Sequence, residues 1–271
     1  MKLWDKNNSA NEKIIEFTVG DDRLNDLYLI KYDLKASISH AKMLYKTNLL
    51  SEIECDRIIN ILNEMLFEAE SGELKIEKEF EDMHSKIEYT LISRLGDIGK
   101  KIHTARSRND QVLVSIQLYL IDELNNIKTE VKSLFDLLIN LAKKNEKIIM
   151  PGYTHMKAAM PSSFGLWFSA YAETLIDDIV SLNSTIKIVN QNTLGSAAGY
   201  GTSFNIDRDF TTKDLNFKTL KYNSLACQIS RNKIEKNTFD AIGNIAFTLS
   251  KISMDICCLL YTSPSPRDSS Q

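Results

Sequence analysis

Three long segments of the chain repeat apolar residues in alternating steps of three and four. They run from Ile116 to Leu141, from Phe164 to Val189 and from Ile234 to Ile256. Residues at this spacing share one face of a helix, and a repeat close to seven is typical of helices that pack as a bundle. At ~1.5 Å per residue each helix would be roughly 35–45 Å long. The pattern predicts an all-α protein built on long bundle helices.

A shorter helix is predicted from Leu49 to Glu70, with Ser51 as its N-cap and Gly72 as its stop. Two links between the bundle helices carry the glycine and proline residues that end helices. They are Pro151–Pro161 and the glycine-rich Leu194–Phe204. We expect the second link to be a flexible connector.

The end of the sequence departs from the helical pattern. Residues Cys258–Asp268 read CLLYTSPSPRD, which resembles a widely used transposase sequencing adapter translated as coding sequence. A natural tail rich in serine and proline is the alternative. We therefore expect an N-terminal helical domain over residues 1–108, an incomplete helical bundle over 109–257 and a non-native tail over 258–271.

Composition excludes several classes of protein. The 271 residues are 43% hydrophobic and 25% charged, as in ordinary soluble proteins. A net charge of −3 gives no basic field for nucleic acid, and no apolar run approaches the ~18 residues that span a bilayer. The N-terminus lacks the apolar core of a signal peptide, and the four cysteines form no C-x-x-C. We expect a cytoplasmic protein with no metal, no membrane and no nucleic-acid partner.

Three polar clusters interrupt the helices: Glu81–Ser85, Ile102–Gln111 and Met150–Lys157. In the second, Arg106 and Arg108 offer guanidinium forks that bind carboxylates, and the start of a helix adds free N–H donors. Solvated arginines beside a capped helix are the alternative.

In the third cluster His155 follows a Pro-Gly turn, where an imidazole can act as acid or base near neutral pH. A histidine that is only hydrogen-bonded within the turn is the alternative. For the first cluster, Glu81–Ser85, the alternative to a functional role is a run of acidic residues on the surface.

Taken together, the sequences of these clusters resemble those of the argininosuccinate lyases of the fumarase and aspartase superfamily. The matching strings are SRNDQV at Ser107–Val112, PGYTH at Pro151–His155, EDMHS at Glu81–Ser85, LGS at Leu194–Ser196 and KLW at Lys2–Trp4. The resemblance runs from the first residue to about residue 257.

Three features depart from the family pattern. Asp5 and Lys6 follow KLW where the family usually has two glycines, and Met156 and Lys157 replace a common Leu-Gln. The superfamily's G-S-S-x-M-P-x-K-x-N loop does not occur in the 271 residues. This loop usually carries the serine paired with the catalytic histidine, so we expect the chain as given to be inactive.

The resemblance implies a β-elimination that splits argininosuccinate into arginine and fumarate without cofactor or metal. It makes His155 the catalytic residue and assigns substrate binding to Arg108, Asn109, Thr154, His84, Ser85 and Arg231. It also implies a homotetramer whose active sites combine segments of different subunits.

Three other functions remain open at this point. The protein could be another lyase of the superfamily, acting on adenylosuccinate, aspartate or fumarate. It could be a non-catalytic structural member, although a scaffold has no use for Arg108, Asn109, Thr154 and His155. It could also be a helical interaction protein, which would bind no small molecule.

Overall fold

The structure is a computed structural model that describes residues 17–155 and 157–262, the last three by their backbone only. Lys2–Trp4, Met156 and most of the expected tail lie outside the described residues. The described part forms two compact units. Unit 1 comprises residues 17–121 and 189–231, and unit 2 comprises the described residues of 122–188 and 232–262. The expected domains, 1–108 and 109–257, are a different division and stay a prediction.

Unit 1 is mainly helical. Its first part contains α1 (Asp22–Lys46), α2 (Glu52–Ser71), α3 (Met83–Leu95), the single turn α4 (Asp97–Lys100), a 3-10 turn (Lys101–His103) and the first part of α5 (Arg108–Lys144). Its second part contains β3 (Gln191–Asn192), α7 (Arg208–Asp214), β4 (Thr219–Leu220) and α8 (Ser224–Ile229). Strands β3 and β4 pair in parallel.

Unit 2 holds the rest of α5, a hairpin of β1 (Ile149–Thr154) and β2 (Lys157–Ser163), α6 (Phe164–Val189) and α9 (Lys233–Thr262). All three predicted bundle helices are present, and the all-α class is confirmed, with two small two-stranded sheets added. One limit was wrong: α9 continues to Thr262, past the Cys257 where we expected the bundle helix to end.

The ends of α2 follow directly from the sequence. The Ser51 hydroxyl accepts from the N–H of Glu54, whose carboxylate accepts from the N–H of Ser51. At the other end Gly72 takes a left-handed conformation with φ 76°, which costs a glycine little. This reciprocal cap and glycine stop confirm the predicted helix.

The core of unit 1 positions the polar clusters. Fully buried side chains on α1, α2 and α3 pack with Ile102 of the 3-10 turn that comes before α5. They include Leu34, Leu44, Ile58, Leu62, Met83, Ile87 and Leu91. Burying such a side chain contributes about 1.5–3 kcal/mol each. The polar residues at the starts of α3 and α5 are therefore held on a rigid base.

Helix α9 has one buried and one exposed apolar face. Ile234, Ala241, Ile245 and Ile252 are buried, whereas Phe239, Phe247 and Met254 are exposed. Within Lys233–Leu259 a window of 18 residues has a mean hydropathy of 1.3, and by length and composition this helix could cross a membrane. Our expectation that no segment approaches this limit was wrong for α9. Core helices of soluble proteins meet the same criterion, so it is weak evidence for a membrane span.

Candidate active site

The first turn of α5 is the point where the polar segments of unit 1 meet. Arg108 opens this turn and donates from Nη1 to Asp82 Oδ2 at 2.5 Å and from Nη2 to Ser85 Oγ at 3.1 Å. The other oxygen of Asp82 accepts from the N–H of Ser85 and so caps α3. The second cluster is thereby joined to the first, and Arg108 keeps three of its five N–H donors for a ligand.

Asn109 lies next to Arg231, the last residue of unit 1 in the sequence. Arg231 Nη2 donates to the Asn109 carbonyl oxygen at 2.9 Å, with the Asn109 side-chain oxygen 3.5 Å away. Both residues are exposed. The start of α5 thus presents two arginines and an amide on an accessible helix end, which suits an anionic ligand.

Asp110 attaches the glycine-rich segment to α5. Its Oδ2 accepts from the N–H groups of Gly195 and Ala197 at 2.8 and 3.0 Å, and its Oδ1 accepts from the N–H of Ser107 at 2.9 Å. Gly195 and Ala197 have φ of 84° and 51°, which turns both amides toward one carboxylate oxygen. Burial raises the pKa of Asp110, and the three N–H groups oppose that rise.

We expected Leu194–Phe204 to be a flexible connector, and for its first residues this was wrong. Leu194, Gly195 and Ser196 are buried. Besides the bonds to Asp110, the Leu194 carbonyl accepts from Arg208 Nε at 2.9 Å. A carboxylate in the site and an arginine of α7 thus hold this segment in place.

Gln111 and His84 share one buried partner, Asp33 of α1. Gln111 Nε2 lies 2.9 Å from both oxygens of Asp33, and His84 Nδ1 lies 2.9 Å from Oδ2. Burial acts to raise the pKa of Asp33, but the His84 imidazole, the charge of Arg106 and the Gln111 amide hold it below its usual value. Asp33 therefore links His84 of the first cluster to Gln111 of the second in the interior of unit 1.

Arg106 is buried and does not lie on the surface. Its side chain is buried, Nη1 donates to Ser37 Oγ at 2.8 Å, and Nε has no partner among the described residues. Burial lowers the pKa of Arg106, and Asp33, Asp110 and Glu88 oppose that change by their charge. The idea of a solvated arginine is thus wrong at this position.

Thr154 and His155 lie at the end of the β1–β2 hairpin in unit 2, where we expected only a link. Thr154 pairs with Lys157 across the turn, both predicted site residues are exposed, and His155 has φ 50°. A bulge lies between Pro151 and Tyr153. At Gly152 a Cβ would stand 2.9 Å from the Met160 carbonyl oxygen, so the paired strand leaves no room for a side chain.

The predicted site residues thus fall into two groups. Arg108, Asn109, Arg231 and Ser85 meet at the start of α5, with His84 tied in through Asp33, whereas Thr154 and His155 belong to unit 2. Sequence reasoning assigned no role to four further residues: Asp33, Asp82, Asp110 and Gln111. The last three stood inside the quoted strings. Asp33 offered only a weak signal, a carboxylate between apolar Ile30 and Leu34 on one helix.

Comparison with known proteins shows that the chain belongs to a lyase family. A family model described as lyase matches residues 9–266. The argininosuccinate lyase of Phocaeicola vulgatus is 48% identical over 256 residues, which is 94% of this chain and 57% of that protein. The one of Thermotoga neapolitana is 42% identical over 255 residues, 94% of this chain and 64% of that protein. The chain spans about three fifths of the length of these curated relatives.

Solved structures agree on the fold. An EDDS lyase variant with bound fumarate has a TM-score of 0.79 at 22% identity, covering 97% of this chain and 51% of its own. A fumarate lyase:delta crystallin from Brucella melitensis bound to cobalt has a TM-score of 0.77 at 19% identity, covering 96% and 60%. At these identities the likeness establishes the helical fold alone.

Proposed function

Because the chain belongs to the lyase family, we propose that the whole protein splits argininosuccinate into arginine and fumarate. The observation that carries the proposal is the start of α5, where Arg108 is held by Asp82 and Ser85 beside the Arg231–Asn109 pair. A dianionic succinyl group needs fixed cationic donors of this kind. The names of the curated relatives add support for the substrate.

Arg108 is the residue that we assign to the succinyl carboxylate. Asp82 and Ser85 fix the guanidinium on one side, so its remaining donors are oriented before substrate arrives. Preorganised donors stabilise charge that grows in the transition state without reorganisation at that moment. Elimination builds negative charge on the carboxylate whose neighbouring carbon loses a proton, so this is where Arg108 and Asn109 act.

His155 is the residue that we assign to proton transfer. In the elimination a base removes the proton from the carbon beside the carboxylate, the C–N bond breaks, and the departing guanidinium nitrogen receives a proton. An exposed imidazole on a hairpin turn can serve either step near neutral pH. Its positive φ is a strained backbone state that functional residues often adopt. Thr154 is assigned to substrate beside it.

The wider setting belongs to the same proposal. We infer a small-molecule substrate, a cytoplasmic location and a homotetramer of the whole protein. Cys55 and Cys227 are free thiols, as suits a reducing compartment. Another lyase activity of the superfamily, on adenylosuccinate or aspartate, is the alternative that the experiment must separate.

The decisive experiment is a substrate panel on a chimera. Residues 1–257 would be fused to the remaining C-terminal part of the Phocaeicola vulgatus relative, and fumarate release would be followed by ultraviolet absorbance. We expect argininosuccinate to be the best substrate by kcat/KM. Faster turnover of adenylosuccinate or aspartate would overturn the assignment, and so would a folded chimera that releases no fumarate.

Two substitutions in the chimera test the assigned roles. His155→Asn should lower kcat about 10²–10⁴-fold, the usual scale for losing a general acid or base. Arg108→Ala should weaken transition-state binding by roughly 2–4 kcal/mol through loss of a charge-assisted contact. Arg57→Ala is the matched control, because Arg57 is exposed on α2 and lies outside the site. Wild-type kcat/KM in both site variants would refute the assigned roles.

A further inference from the structure

A fully buried carboxylate lies on α1 where apolar packing has no need of one. Asp33 has 0% of its surface exposed, and its neighbours Ile30 and Leu34 on the same helix belong to the apolar core. Burying a charge is unfavourable unless hydrogen bonds and opposite charges compensate for it. The partners of Asp33 therefore indicate what the carboxylate is for.

Both hydrogen-bond partners of Asp33 belong to the clusters that form the candidate site. His84 stands in the EDMHS string and Gln111 in the SRNDQV string, 51 and 78 residues away along the chain. An ionised carboxylate only accepts hydrogen bonds, so His84 Nδ1, 2.9 Å from Asp33 Oδ2, must carry the proton. The contact thus fixes both the orientation of the ring and the protonation of Nδ1.

The other ring nitrogen of His84 is available. Nε2 has no hydrogen bond within residues 17–155 and 157–262, yet it is not sealed in the interior as Nδ1 of His40 is. The next residue, Ser85, accepts from Arg108. His84 therefore stands at the same helix start that orients the arginine assigned to the substrate carboxylate.

Building on the proposed function, we propose that Asp33 is a positioning residue for the elimination reaction. From α1 it holds the His84 ring by Nδ1, so that Nε2 is presented to the substrate that Arg108 binds. Through Gln111 it also holds the first turn of α5, which carries Arg108 and Asn109. Asp33 does not touch the substrate in this arrangement.

A purely structural carboxylate would behave differently. Well-packed apolar residues often replace buried charged groups at no cost in stability, so folding alone gives little reason for this one. Asp178 is the natural comparison. It is a buried aspartate of α6 in unit 2 that accepts from Thr248 Oγ1 at 2.7 Å.

The first test needs no enzyme activity. Nitrogen NMR of the chain labelled with ¹⁵N-histidine would report the protonation of each ring nitrogen, with His84 assigned by its loss in His84→Asn. We expect a protonated Nδ1 at neutral pH. An unprotonated Nδ1 would contradict the Asp33 contact and overturn the proposal, whatever the activity of any variant.

The second test is a double-mutant cycle on kcat/KM in the chimera. Asp33→Asn keeps the shape of the side chain but removes its charge, and should lower kcat/KM about 10–100-fold, as loss of a histidine's orienting partner does. Added to His84→Asn it should cause a smaller loss than it causes alone, because Asp33 acts in part through His84 and in part through Gln111. Asp178→Asn should leave kcat/KM within about twofold, as independent sites do.

Each result separates the two levels of inference. An active chimera in which Asp33→Asn keeps full kcat/KM, or in which the losses of Asp33→Asn and His84→Asn simply multiply, would overturn the positioning role and leave the proposed function intact. A folded but inactive wild-type chimera would overturn the proposed function instead. In that case the NMR measurement would still decide whether Asp33 holds His84.

Discussion

His40 should make the stability of the protein fall as the solution becomes mildly acidic. The side chain is fully buried on α1, and its Nε2 lies 2.9 Å from the Thr104 carbonyl oxygen. A carbonyl only accepts, so Nε2 carries the proton, and the buried Nδ1 has no partner among the described residues. A second proton on Nδ1 would place an unpaired charge near the buried Arg106.

Burial first, and then the charge of Arg106, lowers the pKa of His40 from 6.5 to about 3. In the unfolded chain the same imidazole takes up a proton near pH 6.5. Between these two pH values the unfolded state binds more protons than the folded state. The contribution of neutral His40 to the free energy of unfolding is therefore fully present above about pH 6.5. It is lost progressively as the pH falls toward 3.

The size of the effect follows from the same linkage. At 1.36 kcal/mol for each pKa unit, lowering the pH from 7 to 5 should cost about 2 kcal/mol through His40 alone. Urea unfolding followed by far-ultraviolet circular dichroism at the two pH values measures the total change. His40→Gln is the matched control, because a glutamine amide can also donate to Thr104 but does not titrate.

We expect the stability of His40→Gln to fall by about 2 kcal/mol less than that of the wild type over this pH range. His103, whose pKa is also lowered by burial and by Arg106, contributes equally in both proteins and cancels. Equal pH dependence in the two proteins would refute the reasoning. A His40 ring that titrates near pH 6.5 by NMR would refute it as well.

Two further predictions concern the segments around the candidate site. Asp110→Asn should lower the free energy of unfolding by about 1–3 kcal/mol, because the N–H groups of Gly195 and Ala197 lose a charged acceptor. Urea titration beside the exposed control Asp56→Asn checks this, and equal midpoints would contradict it. Gly152→Ala should disturb the hairpin that carries His155 and lower kcat in the chimera, because the new Cβ would meet the Met160 carbonyl oxygen. The control is Gly243→Ala on α9, where a Cβ enters open space. It should leave kcat unchanged and stabilise the helix by up to about 1 kcal/mol. Unchanged kcat in Gly152→Ala would show that the bulge tolerates a side chain.

The sequence by itself determined the helical part of this protein. Apolar steps of three and four placed the bundle helices, and Ser51 and Gly72 marked the ends of α2. These signals are local, because helix hydrogen bonds and caps join residues a few positions apart. The strings around Arg108 and His155 were equally readable, since they lie within short runs of the chain.

The tertiary structure alone decided which distant residues meet. Asp33 lies far along the chain from both His84 and Gln111, and its two bonds depend on how α1 packs against α3 and α5. The hairpin that carries His155 likewise depends on pairing between strands whose own residues give no strong strand pattern. A buried carboxylate is stabilised by partners remote in sequence, and each strand of the hairpin by the strand that follows it. The periodic pattern of a single segment therefore contains no record of either.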